Sequence, residues 1–351
     1  MAVMDKLMSC ALCPNICRFV CPMEEVWATE SSSPSGKART ALLLLKGQIP
    51  WNKENVKIIY QCLTCWASKE ACPFEDLIIG DLLVEVRKEA VKRGVIIPEV
   101  AAIMDSLRKY DNPYGEKRAR VKAPSKEAEV VYFPGCTAEL REKEIISATI
   151  TILQKAGVNA HILNGLCCGW PALQMGDEEG FLRLAKRIES ALEACEGKIL
   201  LVGCPSCFEY LTKLYPERGI DLKVNVVHES TFFLDLLKDG KILVKTIRER
   251  VAYHDPCALG RKMGVYDEPR EVLRSLGLQV VEPEKTREFA TCCGGGGMVE
   301  KSLKVAQKRK KELLSTGAEL FVTACPTCKM MFNKTKLEVQ DLSELLAKSL
   351  E

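Results

Sequence analysis

Ten cysteines in the last two-thirds of the chain fall into two arrays of the same order. The first is Cys136, then Cys167-Cys168-Gly169, then Cys204-Pro205-Ser206-Cys207. The second is Cys257, then Cys292-Cys293-Gly294, then Cys325-Pro326-Thr327-Cys328. Corresponding cysteines lie 121 to 125 positions apart, which marks an internal repeat. A secreted disulfide scaffold would be shorter and would open on a signal peptide. Met1 to Cys10 shows no such pattern, and apolar runs such as Ala41 to Leu45 fall far short of the roughly 20 residues that span a bilayer. The expectation is a reduced, cytoplasmic chain without a membrane span of its own, whose clustered thiolates hold metal. Cys195 fits neither array and reads as a buried small side chain.

Two further groups lie near the start: Cys10-x2-Cys13-x3-Cys17-x3-Cys21-Pro22 and Cys62-x2-Cys65-x6-Cys72-Pro73. They approximate the bacterial [4Fe–4S] pattern C-x2-C-x2-C-x3-C-P, in which the cysteine before proline ligates the other cluster. By that rule Cys10, Cys13, Cys17 and Cys72 form one set. Cys62, Cys65 and Cys21 form the other, with Ser68 where a third cysteine belongs. A three-iron cluster, a serine-ligated four-iron cluster and an absent cluster all remain open for the second set. Zinc is the competing reading, which the two Cys-Pro endings disfavour.

The elements that must position these thiols follow from periodicity. Thr40 to Lys46 and Ile78 to Lys92 read as helices, with a turn or loop over Ser31 to Gly36. Asp111 to Gly115 and the basic run Lys117 to Lys122 read as a solvated linker. From Glu129 strands alternate with helices. Val130–Phe133, Ala160–Leu163, Ile199–Val202, Val224–Val227, Val251–Tyr253, Leu278–Val281 and Leu320–Val322 are strand candidates. Helices are expected over Glu139–Ala156, Gly180–Ala194, Glu268–Ser275, Val299–Leu314 and Asp341–Leu350. The fold class is thus α/β, with a helical ferredoxin-like domain and linker over 1–125, a first repeat over 126–247 and a second over 248–351. Most array cysteines follow the C-terminal end of a strand, the edge where open α/β sheets bind ligands. Gly294 to Gly297 leaves room for a bulky inorganic core, and no Walker lysine follows it.

The doubled order C…CCG…CxxC resembles the cysteine-rich CCG domain found in the B-type polypeptide of heterodisulfide reductase. With the ferredoxin-like part ahead of it, the chain is similar to the D-type polypeptide of that enzyme. Tyr253-His254-Asp255-Pro256-Cys257, Leu259-Gly260-Arg261 and Gly264-Val265-Tyr266-Asp267-Glu268-Pro269-Arg270 carry the likeness, as do Ser33-Pro34, Gly36-Lys37 and Gln61-Cys62-Leu63-Thr64-Cys65. The resemblance implies a noncubane [4Fe–4S] cluster on Cys136, Cys167, Cys168, Cys204 and Cys207. It implies a second on Cys257, Cys292, Cys293, Cys325 and Cys328, with a disulfide substrate between them. The chain departs from the family at Ala258 and Lys262, where the family favours histidine, and at Ser68.

The expected activity is reduction of a small or protein disulfide, with Cys168, Cys293 and His254 as catalytic residues. The N-terminal set would supply electrons through one [4Fe–4S] and one [3Fe–4S] or [4Fe–4S] cluster. The alternative is an electron-transfer subunit between a flavin dehydrogenase and a quinone or cytochrome. No Gly-x-Gly-x-x-Gly dinucleotide fingerprint is present, so electrons must come from or leave to another chain, a membrane cytochrome b-like or soluble flavoprotein subunit. The chain would then lie in the cytoplasm or on the cytoplasmic face of the membrane through that partner. A net charge of +3 without a basic, aromatic-laced stripe argues against nucleic acid. Arg261, Lys262 and Lys329 read by default as surface charge, and Trp66 and Trp170 as shields for neighbouring clusters. His228 and His161 are weaker functional candidates than His254.

Overall fold

The computed structural model describes residues 3–118, 121, 124, 127–298 and 301–351. Two parallel four-stranded sheets carry the second part of the chain. The first contains β1 (Val130–Phe133), β2 (Ala160–Ile162), β3 (Ile199–Val202) and β4 (Asn225–His228), in the order β2-β1-β3-β4. The second contains β5 (Arg250–His254), β6 (Gln279–Val281), β7 (Leu320–Thr323) and β8 (Gln340–Asp341), in the order β6-β5-β7-β8. The two orders are the same, so the repeat seen in the cysteines is a repeat of topology. In the first sheet Val131 pairs with His161 on one side and Leu200 on the other. The central strands β1 and β3 are apolar along almost their whole length, as strands covered on both faces must be.

Ahead of the sheets the chain is helical. Helix Val3–Leu12 packs on helix Pro34–Leu45, and Ile79–Lys92 packs against both. Their apolar faces join a single core with Leu163, Leu166, Phe181 and Tyr215 of the first repeat. Arg87, fully buried, ties the two together by donating to the carbonyls of Ile59, Cys62 and Gln174.

Several elements differ from expectation. The helix expected from Thr40 starts at Pro34, because Ser33 caps it by accepting from the Gly36 amide at 3.0 Å and Pro34 presets the first turn. The stretch Glu139–Ala156 is two helices, Gly135–Arg141 and Lys143–Lys155, broken at Glu142. Helices Lys53–Tyr60 and Pro98–Tyr110 had no expected counterpart. The last helix starts at Leu342, with Gln340–Asp341 forming β8. The expected start of the helix at Val299 lies outside the described residues; the helix runs Ser302–Leu314.

The linker is not a solvated hinge where it is described. Arg118 is buried and pairs with Glu139 at 3.0 Å while donating to the carbonyls of Asp111 and Leu166. Asp111 in turn meets Arg183 and Arg187. Lys122 lies outside the described residues.

Candidate functional site

Each array is assembled at the C-terminal edge of its sheet. Cys136 follows β1 and opens a helix, Cys167 and Cys168 lie between β2 and helix Trp170–Met175, and Cys204 and Cys207 follow β3 at the head of helix Pro205–Glu209. Cys257, Cys292 with Cys293, and Cys325 with Cys328 occupy the equivalent places around β5, β6 and β7. Gly135 has φ +81° and an added Cβ would lie 3.2 Å from Cys207 Sγ, so only glycine lets β1 turn into the first array.

The sulfurs converge. Cys207 Sγ lies 3.3 Å from Cys168 Sγ, and its counterpart Cys328 Sγ lies 3.1 Å from Cys293 Sγ. None of the 18 cysteines is joined in a disulfide. Such crowding pulls acidities apart. Hydrogen bonds from Cys167 and Cys207 bring Cys168 down to about 6, whereas the bond to Cys168 and burial push Cys207 up. Cys293 falls through hydrogen bonds from Cys292 and Cys328, and burial raises Cys328. A group of buried thiols cannot all ionise together without a cation to neutralise them. Backbone amides also point at sulfur, from Gly294 to Cys292 and from Gly295 to Cys293, each at 3.4 Å. Crowded thiols with peptide donors aimed at them fit a metal–sulfur group.

One cavity of about 500 Å³ is lined by both arrays: Cys136, Cys168, Cys204 and Cys207 from the first, Cys257, Cys292, Cys293, Cys325 and Cys328 from the second. Cys167 is buried behind them, beside Cys136 and Cys168. The repeats close on this cavity in a roughly two-fold manner. Helix Pro205–Glu209 packs on the turn Ala258–Lys262, and helix Pro326–Asn333 packs on helix Gly135–Arg141. At the seam Tyr114 Oη, Thr137 Oγ1 and Thr327 Oγ1 form a chain with spacings of 2.8 and 3.3 Å. Tyr114, Trp170, Met298, Met330 and Met331 also line the cavity. Tyr114 was not foreseen, because a tyrosine after Asn-Pro in a linker carries no signal of its own.

The N-terminal thiols form two groups. Burial pushes the Cys10 thiol up, and Cys17, Cys13 and Cys72 add to the rise; Cys17 is pushed up to about 12 by burial, then Cys13, Cys21 and Cys72. Cys21, Cys62, Cys65 and Ser68 line a second, small cavity, with Lys37 Nζ 3.8 Å from Cys21 Sγ. Cys65 also faces the second array: the Cys292 thiol lowers it to about 5, against burial and with help from Arg261. Gly296 permits this approach, since an added Cβ would lie 2.6 Å from the Leu63 carbonyl. No spacing rule could have placed Cys65 beside Cys292.

The charged residues differ from the surface reading. Arg261 is buried and donates to the Cys65 carbonyl at 2.7 Å. Lys262 is buried on Glu209 at 2.9 Å, and Lys329 on Glu142 and Glu344 at 3.1 and 2.8 Å. Each of these ion pairs, apart from Lys329 with Glu344, crosses between repeats. Asp255 is clamped by Arg270 at 2.7 and 2.9 Å and by the Arg287 amide, which fixes the turn from β5 to Cys257. His254 does not line the cavity; it stands behind Cys293. His228 caps helix Glu229–Lys238 through Ser230, and His161 sits on edge strand β2 outside the cavity lining. Trp66 donates to Asp81 at 2.9 Å, and Cys195 is fully buried in the core.

A duplicated cysteine-rich α/β unit behind a helical, cysteine-bearing segment is the architecture of an iron–sulfur oxidoreductase. The model of the CCG cysteine-rich domain matches twice, over residues 130–212 and 251–333. The D-type polypeptide of the dihydromethanophenazine:CoB–CoM heterodisulfide reductase of Methanosarcina mazei is 33% identical over 83% of this chain and 78% of its own length. The EtfAB:quinone oxidoreductase of Syntrophomonas wolfei is 29% identical over 84% of this chain and 46% of its own. A crystal structure of a hypothetical protein from Helicobacter pylori, 10% identical, covers 90% of this chain and 67% of that one with a TM-score of 0.63, a likeness of fold alone. The chain belongs to the D-type heterodisulfide reductase family of CCG-domain iron–sulfur proteins. Among the described residues no helix is long and apolar enough to cross a membrane.

Proposed function

We propose that this chain reduces a disulfide at the cavity between its two arrays, with electrons relayed through the N-terminal cysteine groups. The observation that carries this reading is that thiols of both arrays line one cavity of about 500 Å³, so that centres held by the two arrays would face a common space. Cleaving the S–S bond consumes two electrons and two protons and yields two thiols. Iron–sulfur centres of noncubane type, held by Cys136, Cys167, Cys168, Cys204 and Cys207 and by Cys257, Cys292, Cys293, Cys325 and Cys328, would supply the electrons singly and neutralise the departing thiolates.

The remaining work falls to the chain. Trp170, Met298, Met330 and Met331 wall the cavity and exclude water. The Tyr114–Thr137–Thr327 hydroxyls provide a hydrogen-bonded route for a proton to the seam between the arrays. In the N-terminal part, Cys10, Cys13, Cys17 and Cys72 would hold a [4Fe–4S] cluster, and Cys21, Cys62 and Cys65, with Ser68 nearby, a [3Fe–4S] or [4Fe–4S] cluster. The exposed side chains Leu12, Ile16, Phe19 and Phe74 flank Cys13, Cys17 and Cys72, which suits docking of an electron-donating partner, either a cytochrome b-like membrane protein or a flavoprotein. Docking to the former would place the chain on the cytoplasmic face of the membrane.

The likeness to the EtfAB:quinone oxidoreductase supports a second reading, an electron relay between a flavoprotein and a quinone. One assay separates the two. Holoprotein purified anaerobically and given reduced viologen should release two thiols per small disulfide, and Cys168→Ala or Cys293→Ala should lose this activity. Failure of the unaltered holoprotein across small disulfides, with electron transfer restored by an added flavoprotein, would establish the relay instead.

A further inference from the structure

His254 stands beside the second array, and three observations define what it can do there. Its Nδ1 lies 3.1 Å from Arg309 Nε, a buried group that donates and has no lone pair with which to accept. Its Nε2 is buried and has no hydrogen-bond partner among the described residues. A ring nitrogen of His254 and the sulfurs of Cys293 and Cys328 lie within 4.8 Å of one another. A guanidinium N–H cannot face a protonated ring nitrogen, so Nδ1 must be the acceptor. The proton of the neutral imidazole then sits on Nε2, the nitrogen left to meet the sulfurs. A protonated Nε2 has no lone pair for a metal, but it can donate to a thiolate.

We propose that His254, held as its Nε2–H tautomer by Arg309, donates a hydrogen bond to the Cys293 sulfur and raises the reduction potential of the second array above that of the first. The reasoning rests on the reading that the second array holds an iron–sulfur centre. A donor to sulfur stabilises the extra negative charge of the reduced state, and hydrogen bonds to sulfur are among the factors that set such potentials. The edge contact with Phe332, with ring centroids 4.9 Å apart, and the Arg309 bonds to Glu312 and the Lys285 carbonyl hold the pair in place.

Among the described residues the first repeat lacks the device. Three residues before Cys136, where the second repeat has His254 before Cys257, stands Phe133. The helix corresponding to the one that bears Arg309 buries Phe181, Leu184, Ala185, Ile188 and Leu192, all apolar. The arrays therefore match in sulfur and differ in hydrogen bonding. The second repeat is also the one that meets the N-terminal thiols, since Arg261 donates to the Cys65 carbonyl at 2.7 Å and Gly296 closes on the Leu63 carbonyl, so the centre with the higher potential is the one nearer to them. His254 is thus a positioning residue for charge at sulfur and does not deliver a proton to substrate.

The test is a redox titration of the anaerobically purified holoprotein, followed by EPR, on the unaltered chain and on His254→Phe and His254→Gln, with iron and acid-labile sulfide measured in each. His254→Phe, which installs the residue of the first repeat, should lower one midpoint potential by about 59 mV or more, a tenfold change in the ratio of oxidised to reduced centre for one electron. The other potentials should stay, and His254→Gln, which keeps a side-chain donor, should recover part of the shift. Unchanged potentials at full iron content overturn the proposal while leaving the iron–sulfur reading intact. Protein that takes up no iron overturns both. Should the variants fail to fold, ¹⁵N-histidine labelling of the unaltered holoprotein decides: weak nitrogen coupling to one centre supports a hydrogen bond, whereas strong coupling would make His254 an iron ligand, and no coupling would leave it out of contact; either of the last two results overturns the proposal.

Discussion

At Ser68 a single oxygen stands where three cysteines would gain a fourth. Cys21, Cys62, Cys65 and Ser68 line the same small cavity. Serine binds iron poorly unless it loses its proton, whereas a cysteine thiol at the same place ionises far more readily, and the Lys37 cation lining the cavity would favour that anion. Ser68→Cys is expected to raise iron by one atom per chain and to replace a three-iron EPR signal by a four-iron one. Unchanged iron content with the new thiol alkylatable would show that the site already holds four irons or none. Cys65 makes the same position matter beyond its own group. Arg261 of the second repeat, buried, donates to its carbonyl at 2.7 Å and so links the N-terminal cavity to the second array.

The helices that follow the edge strands β4 and β8 start close together, and each begins on a buried acid. Glu229 opens helix Glu229–Lys238 and accepts from Thr149 Oγ1 at 2.7 Å; Asp341 caps helix Leu342–Ser349 through the Ser343 amide and hydroxyl. Burial, and then the charge of Asp341, raises Glu229 from 4.5 to about 8. The folded chain thus keeps a proton that the unfolded chain gives up above its ordinary value. Stability falls as pH rises from the unfolded value towards 8. Glu229→Gln keeps the shape and removes the titration. Its melting curve should match that of the unaltered protein near pH 5 and lie above it at pH 8, by a stability gain on the order of 2 kcal/mol. A constant gap at both pH values would show that the carboxyl is ionised throughout. The strands of both sheets were legible wherever apolar residues run together, as in β1 (Val130–Phe133) and β3 (Ile199–Val202). β8 was not, because two residues, Gln340 and Asp341, carry no period. The linker was misread at Arg118, since composition marks a basic run as solvated and cannot foresee that Glu139 and two carbonyls bury one member of it.

What joins the two repeats around the cavity was invisible in their cysteines. Spacing announced two copies of one unit, but the surfaces that hold them face to face depend on charges that sequence reading assigns to solvent. Lys262 of the second repeat reaches Glu209 on the Cys204–Cys207 helix of the first, and Lys329 on the Cys325–Cys328 helix reaches Glu142 of the first, an approximate two-fold pair with the signs exchanged. The side chains of Lys262 and Glu209 are 4% and 6% exposed, so neither charge has water to fall back on. Removing one partner strands the other, at a cost of about 3–5 kcal/mol, whereas replacing both by apolar groups of similar size is often neutral. Lys262→Met is therefore expected to lower the unfolding midpoint clearly, and Lys262→Met combined with Glu209→Leu to recover most of the loss. The cavity should respond in the same order: thiols of the single variant should be alkylated faster than those of the double variant, because a stranded Glu209 draws water into the seam. A double variant no more stable than the single one would mean that packing of helix Pro205–Glu209 on the turn Ala258–Lys262 holds the repeats together, with the ion pair a passenger.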